Sequence, residues 1–111
     1  PLQVCVQVNV FGEASKSGCA PGEAAALCAA VVALPNLRLR GLMAIPAAGD
    51  DMARQRLPFR RLREIGESIR AAGVPLDTLS MGMSHDLEAA IAEGATIVRI
   101  GTAIFGERTQ A

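Results

Sequence analysis

The 111-residue chain has no surplus of charge of either sign. Its 11 basic residues balance its 11 acidic residues, so the formal net charge is zero. A protein that binds nucleic acid or an anionic membrane surface usually carries a basic patch. The charge balance therefore predicts neither a nucleic-acid partner nor a membrane partner.

The sequence also lacks the signals of a disulfide framework, a zinc site and a membrane span. Its three cysteines, Cys5, Cys19 and Cys28, form no CxxC pair, whereas disulfide frameworks and zinc sites use paired cysteines at characteristic spacings. No apolar run approaches the ~20 residues of a spanning helix. These absences predict a cytoplasmic protein without a metal site.

Two residue types with catalytic potential occur only once each. Lys16 could form a Schiff base with a carbonyl cofactor, but its small polar neighbours favour a solvated loop lysine. His85 has no nucleophile or orienting carboxylate in its motif, as an acid or base catalyst would require. We therefore predict no catalytic residue in this chain.

Four short apolar runs alternate with helical patterns along the chain. The runs are typical of buried parallel strands, and they cover residues 2–10, 39–45, 76–81 and 96–100. The first predicted helix spans 21–34. The second has Pro58 in its first turn and ends at Gly73, and the third begins with Ser84 as N-cap and ends at Gly94.

This order of elements predicts an α/β fold made of right-handed βαβ units. A chain of this size buries one modest core, yet a complete (β/α)8 TIM barrel needs ~250 residues. Residues 1–111 are therefore predicted to form half of a barrel. Because its two edge strands would be open, we expect the rest of a longer polypeptide, or self-association with a second copy, to cover them.

The loops after the third and fourth predicted strands have the composition of a phosphate site. Phosphate is often held by the last two βα loops of such barrels. Ser80 and Ser84 offer hydroxyls, and Gly82 lets a ligand approach the backbone closely. Gly101 and Thr102 offer further amides and a hydroxyl. Taken alone, a segment such as Ser80 to Ser84 is more often a helix cap preceded by a turn, and Gly101 could simply end a strand.

Arg99 adds a third signal at the same edge. Strand alternation directs its side chain towards the barrel axis if Val98 and Ile100 pack under the helices. A cation enclosed there needs an anion or another acceptor. The alternative is an ordinary interior salt bridge.

Three long blocks match a known family in order and spacing. They are 37–46 (LRLRGLMAIP), 77–84 (DTLSMGMS) and 98–106 (VRIGTAIFG), and a shorter block lies at 7–18. These blocks resemble those of the YggS/PROSC family of pyridoxal phosphate (PLP) homeostasis proteins, relatives of the alanine racemase barrel domain. The resemblance implies that this chain is the C-terminal half of such a barrel.

The resemblance also implies a cofactor and a set of residue roles. Ser80, Gly101 and Thr102 correspond to residues that hold the PLP phosphate, and Arg99 to the arginine that faces the pyridine nitrogen. The family's Schiff-base lysine belongs to the other half of the barrel, outside this sequence. The predicted cofactor-binding residues are Ser80, Met81, Gly82, Arg99, Gly101 and Thr102.

The function implied by the family is not enzymatic. Its members bind and buffer PLP and deliver it to PLP-dependent apoenzymes. One alternative is a PLP-dependent amino-acid racemase, which needs a second catalytic base that these residues do not offer. Another is a barrel that binds a sugar phosphate without PLP.

Overall fold

Four parallel strands alternate with helices along this chain. The protein is represented by a computed structural model that describes residues 1–10, 18–45 and 51–99. The sheet order is β1-β2-β3-β4, with every pair parallel. The elements are β1 (Leu2–Gln7), α1 (Ala24–Val32) after a 3-10 turn (Pro21–Glu23), β2 (Leu37–Met43), α2 (Met52–Ala71), β3 (Thr78–Met83), α3 (Leu87–Ala92) and β4 (Ile97–Arg99). This alternation confirms the predicted α/β fold.

One face of the sheet forms the core together with the helices. Val6, Leu42 and Leu79 occupy one register row across β1, β2 and β3, and the first two are almost completely buried. Helix α2 packs directly over this row, since a Cβ added at Gly66 would lie 3.6 Å from Leu79 Cδ2. Leu42 and Leu79 of this row thus form apolar contacts between the sheet and α2.

The sheet is irregular at Gly41 in β2. The register of β1 against β2 shifts between Val4 and Cys5, where Cys5 pairs with Gly41. A Cβ at Gly41 would lie only 1.8 Å from the carbonyl oxygen of Thr78. Only glycine allows β2 and β3 to approach this closely.

Helix α2 starts earlier than its proline suggested. We predicted Pro58 in the first turn, whereas the helix begins at Met52 and contains Pro58 in its interior. Asp51 explains the earlier start, because its side chain accepts a hydrogen bond of 2.9 Å from the amide of Ala53 and caps the helix. The missing N–H of Pro58 then costs one bond inside a long, well-packed helix.

The start of α3 is a second correction. Ser84 was predicted as its N-cap, but the N-cap residue is Asp86 and the helix runs from Leu87 to Ala92. The side chain of Asp86 does not cap α3. It turns back and accepts a hydrogen bond of 2.7 Å from the amide of Met83, which ties the end of β3 to the helix.

The strand boundaries also move by two to three residues. The third strand was predicted at 76–81 and lies at Thr78–Met83. The first was predicted at 2–10 and ends at Gln7, with Val8 in an isolated parallel bridge to Cys19. In the described part of the chain, no helix is both long and apolar enough to cross a membrane.

All three cysteines fall within the described residues and are free. Burial is the largest influence on each thiol, and it raises the pKa of Cys5, Cys19 and Cys28. A raised pKa keeps the thiol protonated and poorly nucleophilic. Cys28 lies in the core and Cys19 packs against it.

Candidate functional site

The second face of the sheet, called here the open face, is not packed against any helix of the described part of the chain. One register row on this face contains Gln7, Met43, Ser80 and Ile97. Ile97 is 51% exposed, and the other three side chains are half-buried. In barrel-like folds the carboxyl ends of the strands on this face are where ligands bind.

Arg99 lies at that end of the open face. It pairs in register with the exposed Met83, while its neighbour Val98 packs against the helical core. The predicted alternation is therefore confirmed for Val98 and Arg99, and Ile100 lies outside the described residues. The half-buried Arg99 side chain crosses β3 and donates from Nη2 to the carbonyl oxygen of Ala44 at 3.4 Å.

The hydrogen bonds of Arg99 are incomplete within the described chain. Its Nε is enclosed but has no partner among residues 1–10, 18–45 and 51–99. None of the ion pairs between described residues involves Arg99, so the interior salt bridge that we considered is not found there. A guanidinium that has an enclosed donor and no carboxylate partner can donate hydrogen bonds to an anion or to a neutral acceptor.

The three predicted residues of β3 play different parts. Ser80 lies on the open face, in the register row that precedes Arg99. Met81 is fully buried in the core, so only its main chain could meet a ligand. Gly82 has φ of +102°, and a Cβ there would lie 2.5 Å from Ala90 Cβ. Gly82 thus allows β3 to end tightly against α3.

The turn that follows β3 is held by hydrogen bonds. Asp86 is 2% exposed, and besides bonding the amide of Met83 it lies 3.6 Å from Nε2 of His85. The carbonyl of His85 accepts a bond from Gln55 on α2. His85 is half-exposed, and the buried carboxylate of Asp86 lies beside its ring, a pairing that was not predicted from the sequence.

Three residues singled out in the sequence lie outside the described residues. They are Lys16 in the loop after β1, and Gly101 and Thr102 after β4. The predicted phosphate loop at 101–102 therefore stays a prediction. Among the described residues, no group of three or more histidine, cysteine or acidic side chains could hold a metal ion.

An arginine cluster on the helical side was not predicted. Arg56, Arg60 and Arg63 converge from α2 on Glu93, which is 2% exposed at the end of α3. The shortest contact joins Arg56 Nε to Glu93 Oε2 at 2.7 Å. Burial by itself would raise the pKa of Glu93, but hydrogen bonds from Arg56 and Arg60 outweigh it and lower the pKa to about 2.

A second ion pair lies on the sheet, near the amino ends of the strands. Arg40 donates from Nε and Nη2 to the two carboxylate oxygens of Asp77, at 2.9 and 2.8 Å, and also bonds Gln3. The hydrogen bond from Arg40 lowers the pKa of Asp77 to about 2. The carboxylate is thus already occupied and is not available to a ligand.

The fold and this site can be compared with known proteins. The family model described as alanine racemase, N-terminal domain, matches residues 1–109. The chain belongs to this family. Its solved neighbours are TIM-barrel-like, which agrees with the four parallel strands seen here.

The chain is similar to two curated proteins that are named for PLP homeostasis. Over 108 residues the chain is 65% identical to the pyridoxal phosphate homeostasis protein of Pseudomonas aeruginosa and 52% identical to that of Escherichia coli K12. Each alignment covers 97% of this chain and 46% of the relative. The predicted resemblance to PLP homeostasis proteins is confirmed.

PipY of Synechococcus elongatus, solved with PLP bound, superposes with a TM-score of 0.80 at 32% identity. The superposition covers 94% of this chain and 49% of PipY. The chain thus spans about half the length of the relatives it matches.

The family match corrects one part of the predicted fold. We expected the C-terminal half of a barrel, but the family segment that matches is described as an N-terminal domain. The assignment to a C-terminal half is therefore dropped. The α/β fold of four parallel strands alternating with helices stands.

Proposed function

We propose that this chain is part of a PLP-binding protein of PLP homeostasis, and that Arg99 on the open face is one of its cofactor contacts. The observation that carries the proposal is the enclosed Nε of Arg99, which has no partner within the described residues. The names of the two curated relatives and the PLP bound to PipY support it.

The residues at this edge fit such a ligand. PLP offers a dianionic phosphate and a pyridine nitrogen, both of which accept hydrogen bonds. Among the described residues, no carboxylate competes for the donors that Arg99 supplies. Ser80 is on the same face and can add a hydroxyl. Gly101 and Thr102 complete the proposed phosphate contacts.

Arg99 is proposed to face the pyridine nitrogen. When bound, PLP supplies a reactive carbonyl conjugated to a ring that can withdraw electrons. Arginine keeps its proton at any physiological pH, so Arg99 cannot give it to the ring nitrogen and leaves that nitrogen unprotonated. An unprotonated ring withdraws electrons weakly, and this favours holding the cofactor over turning over a substrate.

The binding role is preferred to the racemase alternative because the relative at 65% identity is named a homeostasis protein. We also propose a cytoplasmic location and transfer of PLP to PLP-dependent apoenzymes. Self-association of the chain through its edge strands β1 and β4 remains a prediction.

The proposal is tested by replacing Arg99 in the protein that contains this chain. Arg99→Met should weaken PLP binding by about tenfold or more, because a charge-assisted hydrogen bond contributes roughly 1.5–3 kcal/mol. Arg38→Met is the control, since Arg38 is an exposed arginine at the opposite end of β2. PLP bound at equilibrium is measured by absorbance after dialysis.

A second ligand locates the contact. Pyridoxal lacks the phosphate, so a contact to the ring nitrogen predicts that Arg99→Met weakens pyridoxal and PLP equally. If Arg99→Met weakens the binding of PLP but not of pyridoxal, Arg99 contacts the phosphate, and its assignment to the ring nitrogen is overturned. Unchanged PLP affinity in Arg99→Met would overturn the site.

A further inference from the structure

A cavity of about 300 Å³ lies on the helical side of the sheet, away from Arg99. Its walls are α2 and the segments that lead into β3 and β4. The apolar part of the wall includes Gly66, Leu76 and Leu79. Ligand sites in proteins begin at about this size and combine apolar walls with a few polar groups.

Two arginines of α2 line this cavity. Arg63 and Arg70 are seven residues apart, which places them on one side of the helix two turns from each other. Within the described residues, no ion pair involves Arg70. Arg63 Nε is enclosed without a hydrogen-bond partner in that same part of the chain. Both side chains can therefore accept an anion.

The hydroxyl groups on the wall are less available. Thr96 Oγ1 accepts a hydrogen bond of 2.8 Å from the amide of Leu79, and Thr78 Oγ1 donates one of 2.8 Å to Asp77. The guanidinium groups are thus the main donors that a ligand could reach.

The charges around the cavity favour an anion. Glu93 is shared by Arg63 with two further arginines, so one carboxylate serves three cations. Glu67 also lines the cavity and lies 3.5 Å from Arg63. Asp77 is neutralised by Arg40. The lining itself holds two arginines, Arg63 and Arg70, and two carboxylates, Glu67 and Asp77. The excess of positive charge comes from Arg56 and Arg60, which lie beyond the lining and share Glu93 with Arg63.

We propose that this cavity binds a small organic anion, with Arg63 and Arg70 holding its oxyanion group and Leu76 and Leu79 contacting its carbon skeleton. The oxyanion is a carboxylate or a phosphate, since guanidinium groups pair with both in the same geometry. This second site is separate from the open face and goes beyond the proposed PLP site.

The test uses the whole protein that contains this chain, loaded with PLP and then dialysed, so that the open face is filled and no free PLP competes for the second site. Succinate and inorganic phosphate are titrated separately by calorimetry. We expect saturable binding of at least one of them, with Kd of about 1 mM or tighter. The anion that binds more tightly identifies the oxyanion class.

If the site is real, three single substitutions on α2 change anion affinity in three different ways. Arg70→Gln should weaken binding by about five- to tenfold, as expected for a partly exposed charge pair. Glu67→Gln should tighten it, because it removes a carboxylate that competes for Arg63. Arg61→Gln removes the same charge from another face of α2, outside the cavity lining, and should change nothing.

Two outcomes would overturn the proposal. One is that neither anion binds with a Kd below about 10 mM. The other is that Arg61→Gln weakens binding as much as Arg70→Gln, which would reveal attraction to the net charge of α2 alone. Neither outcome would affect the PLP site, whose occupancy is followed in the same samples by absorbance.

Discussion

Arginines on the two sides of the sheet differ in their carboxylate partners, although Arg63 and Arg99 each have an enclosed Nε without a hydrogen-bond partner among the described residues. On the helical side, three arginines of α2 share the buried carboxylate of Glu93. On the open face, Arg99 meets only the carbonyl of Ala44 at 3.4 Å, and its Nε has no partner within the described chain. The buried carboxylate of Glu93 ties α2 to α3, whereas Arg99 has no carboxylate partner among the described residues and keeps its donors for the proposed ligand.

The largest effect is expected when the carboxylate of this cluster is removed. Glu93→Gln should lower the free energy of unfolding by about 2–3 kcal/mol, because three guanidinium groups lose their counter-charge. The loss is not larger because these groups are partly exposed to water, which stabilises their charge. Urea unfolding monitored by circular dichroism measures the change.

The exposed Glu88 on α3 provides the matched control for this substitution. Glu88→Gln should change stability by less than about 0.5 kcal/mol. Equal effects of the two substitutions would mean that the arginine cluster does not tie α2 to α3.

Acid should reproduce the loss of the cluster. The pKa of folded Glu93 is about 2, below its ordinary value of 4.5. Its stabilisation is therefore complete above pH 4.5 and is lost as the pH falls towards 2. The midpoint of urea unfolding should fall over this range.

Comparison with Glu93→Gln isolates the contribution of this one carboxylate. The decline with acid should be shallower in Glu93→Gln, with a remainder from Asp77, whose pKa is also about 2. Parallel acid profiles for the two proteins would contradict the assignment.

A smaller loss is expected at the end of β3, where the sheet meets α3. In Gly82→Ala the new methyl would lie 2.5 Å from Ala90 Cβ, at a residue with φ of +102°. We expect a loss of about 1–2 kcal/mol in unfolding free energy. Gly73→Ala shares the positive φ but has open space around it, so it separates backbone strain from crowding.

The smallest change in stability is expected on the open face. Arg99→Met, measured without PLP, should change the unfolding free energy by less than about 1 kcal/mol. The reason is that the enclosed Nε which it removes makes no hydrogen bond within the described chain. Thermal unfolding with and without PLP checks this. A loss as large as that of Glu93→Gln would make Arg99 a structural residue and remove the contrast between the two sides.

Part of the geometry at this edge of the sheet was predicted from the sequence, and part was not. A loop was expected at Ser80, Gly82 and Ser84, but Ser80 and Gly82 lie within β3 and the turn follows at residues 84–86. The alternation of Val98 and Arg99 was expected from strand geometry. The position of Met81 was not, since Met81 is fully buried while its neighbour Ser80 faces the open side. Which residue of a motif meets the ligand depends on the strand's orientation in the sheet.

The order of strands and helices, the apolar face of each element and the family resemblance were determined by the sequence alone, because all three follow from residues close together in the chain. The start of α2 at Met52 and the bond from Asp86 to Met83 required the structure, since several local caps compete in each segment. The pairing of Glu93 with arginines 30 to 37 residues away was decided only by the tertiary fold. Local periodicity shows that a charge lies on a helix, but only the packing of α2 against α3 shows which charges it meets.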